Sequence, residues 1–344
     1  MPRKGANVHR ELSSSAEHQR PERYRPYGQG ALSKSHDAYL SRELVHKAVA
    51  SEVLLSKASR VGEDRFHLTA RLASGNSLFA SATSGTGDLL FFAEAVRQAG
   101  SSVSHLFYDV PLDRVFILDS MNLEMCTEGL PCPARSDGAV EVELRCSFRD
   151  AGTNRRRFAK TYRTDLIQAG RRWGSATVGF TTMSRATFDR LRQRSSPAPA
   201  AVAGTSRSRL PPSRVGRHAS RDVLLGNPQG GAGNEWELLL DREHPFYFDH
   251  PIDHIPGMAL LEAMRQAVQA HGGVFECLVP RSMDVEFGSF AELDQAVSLE
   301  VSPLQDAPRR LRVTARQGER FVASAAVQVT EEGVESVLTP CEAA

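Results

Sequence analysis

Hydrophobic positions along the chain gather into two blocks with the same internal order. Each block opens on a short apolar run, passes through a turn region into one long apolar helix, and closes on segments that alternate apolar and polar residues. "LLFFAEAVRQAG" at 89–100 and "GMALLEAMRQAV" at 257–268 are the two helical stretches. Both are apolar on most sides, so each has to be buried nearly all round. "VELRCSFRDAGTNRRRFAKTYRTDL" and "LRVTARQGERFVASAAVQVT" alternate and turn like antiparallel hairpins.

The two blocks match each other in order. The helices align through a shared E-A-x-R-Q-A, placing Glu94 on Glu262, Arg97 on Arg265 and Gln98 on Gln266. Upstream, "SEVLL" at 51–55 answers "RDVLL" at 221–225; downstream, "DSMNLEM" at 119–125 answers "RSMDVEF" at 281–287. Near each end "GRRWGSATVGF" answers "GERFVASAAVQV". Four matches in one order imply an internal duplication, and its long period implies duplicated domains. The fold class expected is α+β: an antiparallel sheet wrapped around a central helix in each copy, two hotdog domains in tandem forming a pseudo-dimeric double hotdog.

Polar composition sets the boundaries. Residues 1–40 read as a disordered leader, 41–191 as the N-terminal hotdog domain and 192–219, rich in Pro, Ser and Arg, as a linker. Residues 220–332 form the second domain and 333–344 a tail. A formal net charge of +1 gives no general push toward nucleic acid or membrane, and neither is expected as a partner. Five cysteines (Cys126, Cys132, Cys146, Cys277, Cys341) without a C-x-x-C pair indicate neither a disulfide framework nor a zinc site. There is no signal core and no run long enough to span a bilayer, so a cytoplasmic setting is expected.

The chemistry-bearing residues sit on and before the helices. Glu262 and Arg265, three apart, share a face, with Gln266 four from Glu262; Glu94, Arg97 and Gln98 repeat the relation. A single such set reads as a self-neutralising internal ion pair. Two sets converging at the centre of a pseudo-dimer are harder to explain by stability, because buried ion pairs are a poor way to gain it. "HPFYFDHPIDHIPG" concentrates His244, Asp249, His250, Asp253 and His254 ahead of a helix start, with Pro256 expected at the first helical position. The N–H groups of that helix end, around Gly257 and Met258, would polarise a carbonyl or bind an anion. Pro251 and Pro256 bracket the histidines, so a metal site is not expected. Asp88 is the expected N-cap of the first helix. The first copy has "FASATSGTGD" where the second has its histidines, so one composite site is expected rather than two. No G-x-S-x-G, Walker or dinucleotide motif occurs, and no cysteine lies on either helix, which leaves acid/base and electrostatic chemistry without a cofactor.

"HPFYFDHPIDHIPGMALLEAMRQA" closely resembles the signature of the AfsA-type family, the A-factor or γ-butyrolactone biosynthesis proteins of actinobacteria. "LVHKAVASEVLL" at 44–55 and "DLLFFAEAVRQAG" resemble that family's other half, so the likeness spans about residues 44–190 and 220–330. A more distant likeness runs to hydroxyacyl-ACP dehydratases, although the histidine-to-PG spacing is shorter here. The family resemblance implies transfer of a β-ketoacyl group from acyl carrier protein to dihydroxyacetone phosphate, followed by internal condensation toward a butenolide phosphate. In that reaction Glu94, with Glu262 as rival, would take the hydroxyl proton, burial raising its pKa and a nearby Arg lowering it. Arg265 and Arg97 would hold phosphate, with Gln98 and Gln266 beside them. Gly257 and Met258 would stabilise the oxyanion, while His250, Asp253 and His254 shape the entrance or shuttle a proton. Transfer would be direct, without an acyl-enzyme. A hotdog thioesterase or dehydratase, or a non-catalytic acyl-binding protein, would use the same fold. The pairing of copies within one chain is compatible with a monomer or a homodimer.

Overall fold

The computed structural model describes residues 35–36, 40–73, 78–79, 88–126, 139–150, 158–195, 208–227, 233–272, 277–305, 307 and 309–332. The first unit runs β1 (Ser35–His36), β2 (Leu55–Gly62), β3 (Arg65–Ala73), α1 (Leu89–Phe107), β4 (Arg114–Met125), β5 (Ala139–Asp150), β6 (Phe158–Gln168), β7 (Arg171–Ser184) and α2 (Arg185–Ser195). The second repeats it with β8 (Leu225–Gly226), β9 (Glu235–Leu238), α3 (Gly257–His271), β10 (Cys277–Phe287), β11 (Ser298–Pro303), β12 (Arg310–Gln317) and β13 (Arg320–Glu332).

All thirteen strands join one sheet in the order β1-β2-β3-β5-β6-β7-β4-β10-β13-β12-β11-β9-β8. Counted outward from the β4–β10 seam, the same strands follow in the same order on both sides, β1 alone being extra. At the seam Asn122 pairs with Asp284. These two residues are also each other's counterparts in the sequence repeat, so a pseudo-twofold axis passes between them. The tandem hotdog arrangement is therefore present, with its dimer interface built inside one chain.

Alternation places the cores. Phe66, Leu68, Ala70 and Leu72 of β3, and Leu311, Val313 and Ala315 of β12, face inward and are buried. The sheet closes over α1 and α3, and only Arg97 and Leu106 of α1 escape full burial. Close packing of helix on sheet needs Gly100, since a Cβ there would collide with the Tyr162 ring, whose hydroxyl donates to the Val96 carbonyl at 2.8 Å. Asp88 caps α1, accepting from the N–H groups of Leu90 and Phe91. Helix α3 starts one residue later than expected, with Pro256 as its N-cap and the N–H groups of Ala259 and Leu260 bonded to the Pro256 carbonyl.

The expected linker is largely built into the fold where it is described. Helix α2 continues through Ser195, and Arg192 is buried. Leu210 N–H bonds to Leu225 O at 2.8 Å, Pro212–Val215 form a helical turn, and Arg217 is fully buried. Composition misleads here because Pro211 and Pro212 start a turn that Gly216 closes in the left-handed region at φ 62. Of the expected leader, residues 35–36 pair with β2 and Leu40 is buried. The rest of that leader, the stretch 196–207 and the tail 333–344 lie outside the described residues.

Candidate active site

Each E-A-x-R-Q-A helix brings its glutamate into the core, where the same helix neutralises it. In α1 the Arg97 guanidinium forks onto Glu94, Nε to Oε2 at 2.8 Å and Nη2 to Oε1 at 2.7 Å, while Gln98 Nε2 donates to Oε1 at 2.8 Å. In α3 Arg265 forks onto Glu262 at 2.7 Å through both nitrogens, and Gln266 Nε2 donates at 2.7 Å. Both sets then tie down the chain that precedes the strands. Arg97 and Arg265 donate to the carbonyls of Val45 and Val215. Gln98 bridges Glu52 O and Leu54 N–H, and Gln266 bridges Asp222 O and Leu224 N–H in the same way.

A second cation completes each cluster, and sequence reading did not single it out. Lys47 Nζ lies 3.5 Å from Glu94 Oε1, whereas Arg217 Nε donates to Glu262 Oε1 at 2.7 Å and its Nη2 lies 2.7 Å from Oε2. Both cations also cross to the other unit. Lys47 donates to Phe246 O at 3.1 Å; Arg217 donates to Leu78 O at 2.8 Å and to Asp88 at 2.7 Å. Extending the match of "SEVLL" with "RDVLL" four residues upstream pairs Lys47 with Arg217, a signal available in the sequence.

Both glutamates are fully buried, and burial alone would raise their pKa values. Arg97 and Lys47 override that for Glu94, and Arg217 and Arg265 for Glu262, holding each at about 2. Of the two opposed effects expected from the sequence, burial and nearby arginine, the cations prevail. Each carboxylate is ionised and its oxygens are occupied by donors.

The clusters differ in access. Arg265 is 4% exposed and its Nη1 bonds to Gln269, whereas Arg97 is 26% exposed. Ser101 occupies the place of Gln269 in the first unit and turns back to the Gln98 carbonyl. Gln269 packs against Gly216, where any Cβ would collide with its amide. At the matching position the first unit has His46, also in the left-handed region at φ 55. His46 Nε2 meets His105 Nε2 at 2.8 Å, and burial first, then His105, Arg97 and His250, lower His46 to about 4. The sealed second cluster leaves the Tyr247 hydroxyl and Asp222 Oδ2 buried without partners, a cost of about 1–3 kcal/mol each.

The acid–histidine lead-in divides between two places. Asp249 Oδ2 accepts from Ala48 N–H of the first unit at 2.8 Å, and its Oδ1 meets His250 Nδ1 at 2.7 Å. Asp253 Oδ1 meets His254 Nδ1 at 2.7 Å, but this pair leans on α2: Arg192 donates to Asp253 at 3.1 Å and forks onto Glu292, and His254 contacts Phe188 and Phe290. His244 is held on Asp222 at 3.2 Å. The structure thus gathers Glu94, Arg97, Gln98, Lys47, Asp249 and His250 around the turn 45–48. It puts Asp253 and His254 at the α2 contact and seals Glu262, Arg265 and Gln266 in the other unit. Gly257 and Met258 open α3, where a Cβ on Gly257 would make ordinary contacts of 3.5 Å with Phe287 and 3.8 Å with Leu118; Met258 is buried. The Cys146 thiol is pushed up to about 12 by burial, which suits a core residue rather than a nucleophile.

Comparison with known proteins follows the same division. A family model described as an A-factor biosynthesis hotdog domain (AfsA) matches residues 31–184 and 201–331. The 2-oxo-3-(phosphooxy)propyl 3-oxoalkanoate synthase of Streptomyces virginiae is 34% identical over 291 residues, covering 82% of this chain and 95% of that protein. The protein of the same name from Streptomyces coelicolor is 32% identical, covering 73% of this chain and 78% of its own. Among solved structures, a 12:0-ACP thioesterase from Umbellularia californica superposes with a TM-score of 0.47 at 13% identity, over 77% of this chain and 98% of that one. No helix among the described residues is long and apolar enough to cross a membrane.

Proposed function

The chain belongs to the AfsA family, and on that premise we propose that it is the acyltransferase that joins a β-ketoacyl group, delivered on acyl carrier protein, to the hydroxyl of dihydroxyacetone phosphate. The product is the 2-oxo-3-(phosphooxy)propyl 3-oxoalkanoate named in its relatives. The methylene between the two carbonyls of that ester is acidic, so it condenses with the neighbouring ketone to close a butenolide phosphate, the precursor of a γ-butyrolactone-type signal.

The reaction needs an anion anchor, a polarised thioester and a path for one proton. The observation that carries the placement is Arg97: of the two helix arginines it is the one whose side chain is partly exposed, 26% against 4% for Arg265. Glu94 fixes its orientation through the fork, leaving an N–H edge for phosphate. The N–H groups of Gly257 and Met258 at the start of α3 are the donors for a tetrahedral oxyanion. Glu262, Arg265 and Gln266 serve as the counterweight that holds the junction of the units. Transfer is direct, and the internal pairing of units allows a monomer to be complete.

Incubating purified protein with a β-ketoacyl carrier protein and dihydroxyacetone phosphate should give the phosphorylated ester by mass spectrometry. Free acid or enoyl product in its place overturns the assignment, and an acyl adduct on the wild-type protein overturns direct transfer. A hydrogen bond to a charged group contributes about 1.5–3 kcal/mol, so Arg97→Lys should raise the KM for dihydroxyacetone phosphate roughly 10–100-fold. Arg265→Lys should instead lower the melting temperature with little change in that KM.

A further inference from the structure

With both glutamates ionised and saturated by donors, the proton of the attacking hydroxyl needs another acceptor. The histidines around the unit junction differ in what their ring nitrogens already do. His46 and His105 meet through their Nε2 atoms, and His105 Nδ1 is taken by the Val110 carbonyl. His244 uses Nε2 on Asp222, and its Nδ1 accepts from Phe246 N–H. His254 has a similar ring arrangement, Nδ1 on Asp253 at 2.7 Å, but its side chain is only 19% exposed and its ring packs against Phe188 and Phe290 at the α2 contact. His250 is different. Its Nδ1 is held by Asp249, the side chain is 47% exposed, and its Nε2 is free among the described residues.

Asp249 gives this pair its rigidity. Its side chain is 2% exposed, with one oxygen on His250 and the other on Ala48 N–H of the first unit. A carboxylate that holds one imidazole nitrogen as N–H leaves the lone pair on the other, and stabilises the imidazolium that forms on proton uptake. The same turn carries the anion anchor: Arg97 bonds to Val45 O, and Val45 and Ala48 are three residues apart, so their Cα atoms are at most about 11 Å from each other. Groups facing the pair are His46 and Lys47 from that turn, Arg97 from α1 and Glu52, which lies within electrostatic reach of Asp249.

We infer that Asp249 and His250 form the proton-accepting dyad of the composite site, with His250 as a catalytic residue and Asp249 as its positioning residue. This rests on the acyl-transfer reading. His250 Nε2 takes the hydroxyl proton of the phosphorylated acceptor as its oxygen bonds to the thioester carbonyl carbon. The tetrahedral oxyanion then collapses, the C–S bond breaks, and the imidazolium returns the proton to the carrier thiolate, leaving ester and free thiol.

The test uses the full chain with a β-ketoacyl carrier protein and dihydroxyacetone phosphate, scoring ester by mass spectrometry from pH 5 to 9. His250→Gln and His250→Ala should lower kcat roughly 10²–10⁴-fold, with KM for the acceptor within about threefold and an unchanged melting temperature. Both should lose the acidic limb of the wild-type kcat profile, and added imidazole should partly restore His250→Ala. Asp249→Asn keeps an acceptor for Ala48 N–H and should shift that limb while retaining part of kcat. Wild-type kcat in His250→Ala, or a fall with the acidic limb intact and no rescue, overturns the dyad and leaves the transfer reading standing. A wild-type protein that makes no ester fails the transfer reading itself.

Discussion

The clusters on α1 and α3 carry the same Glu, Arg and Gln at the same spacing, yet one is open and one is closed. The difference lies in three substitutions outside the shared motif. The first unit has Lys47, His46 and Ser101; the second has Arg217, Gly216 and Gln269. Arginine in place of lysine adds a direct 2.7 Å hydrogen bond to the glutamate, and Gln269 folded over Gly216 closes the slot beside Arg265. A duplicated motif has thus kept its charges in both copies while their surroundings assign them different work.

The largest effect should come from the cation shared by Glu262 and Asp88. Removing one partner of a buried pair costs about 3–5 kcal/mol, so Arg217→Met should lower unfolding free energy by that much in denaturant titration. Lys47→Met, with its 3.5 Å contact, should cost less, about 1–3 kcal/mol. A larger loss for Lys47→Met would break the comparison.

The seal supplies a smaller effect. Gly216→Ala adds a Cβ at φ 62 that collides with Gln269, and should cost about 1–3 kcal/mol. The double variant Gly216→Ala with Gln269→Ser should recover part of it while making Arg265 more accessible. Recovery of nothing would mean that backbone strain, not the amide, governs the site.

The last comparison is a matter of pH. His46 stands at about 4 against the usual 6.5, so the fold favours its neutral form. That contribution is complete above 6.5 and is lost as pH falls toward 4. His46→Gly, the residue the second unit uses there, should flatten stability over this window, measured by denaturant midpoints at pH 7, 6, 5 and 4. The two glutamates, lowered from 4.5 to about 2, add a loss below 4.5 that the variant should retain.

Much of this was legible in the sequence because a duplication repeats what physics requires. The E-A-x-R-Q-A helices, the Asp88 cap and the asymmetry of the histidine lead-in were visible as pattern, and the seam register of Asn122 with Asp284 follows the same alignment. What did not show were contacts between units. Lys47 and Arg217 sit in stretches whose local composition is unremarkable, and Arg217 lies in Pro/Ser/Arg-rich chain that reads as a linker. The ionisation of the glutamates was open for the same reason, since burial and nearby arginine act in opposite directions and only the count of cations decides.

Arg217 also bears on how the chain is made. Asp88, its partner, lies 129 residues earlier. At about 5–20 residues per second, Asp88 leaves the ribosome roughly 6 to 26 seconds before the arginine that pairs with its second oxygen. During that interval β4 has no β10 beside it, and an unpaired edge of its length invites association with other nascent chains. The first half therefore emerges as a fold waiting for its complement, and slow codons between Asp88 and Arg217 would lengthen the time it spends exposed to aggregation or to a chaperone.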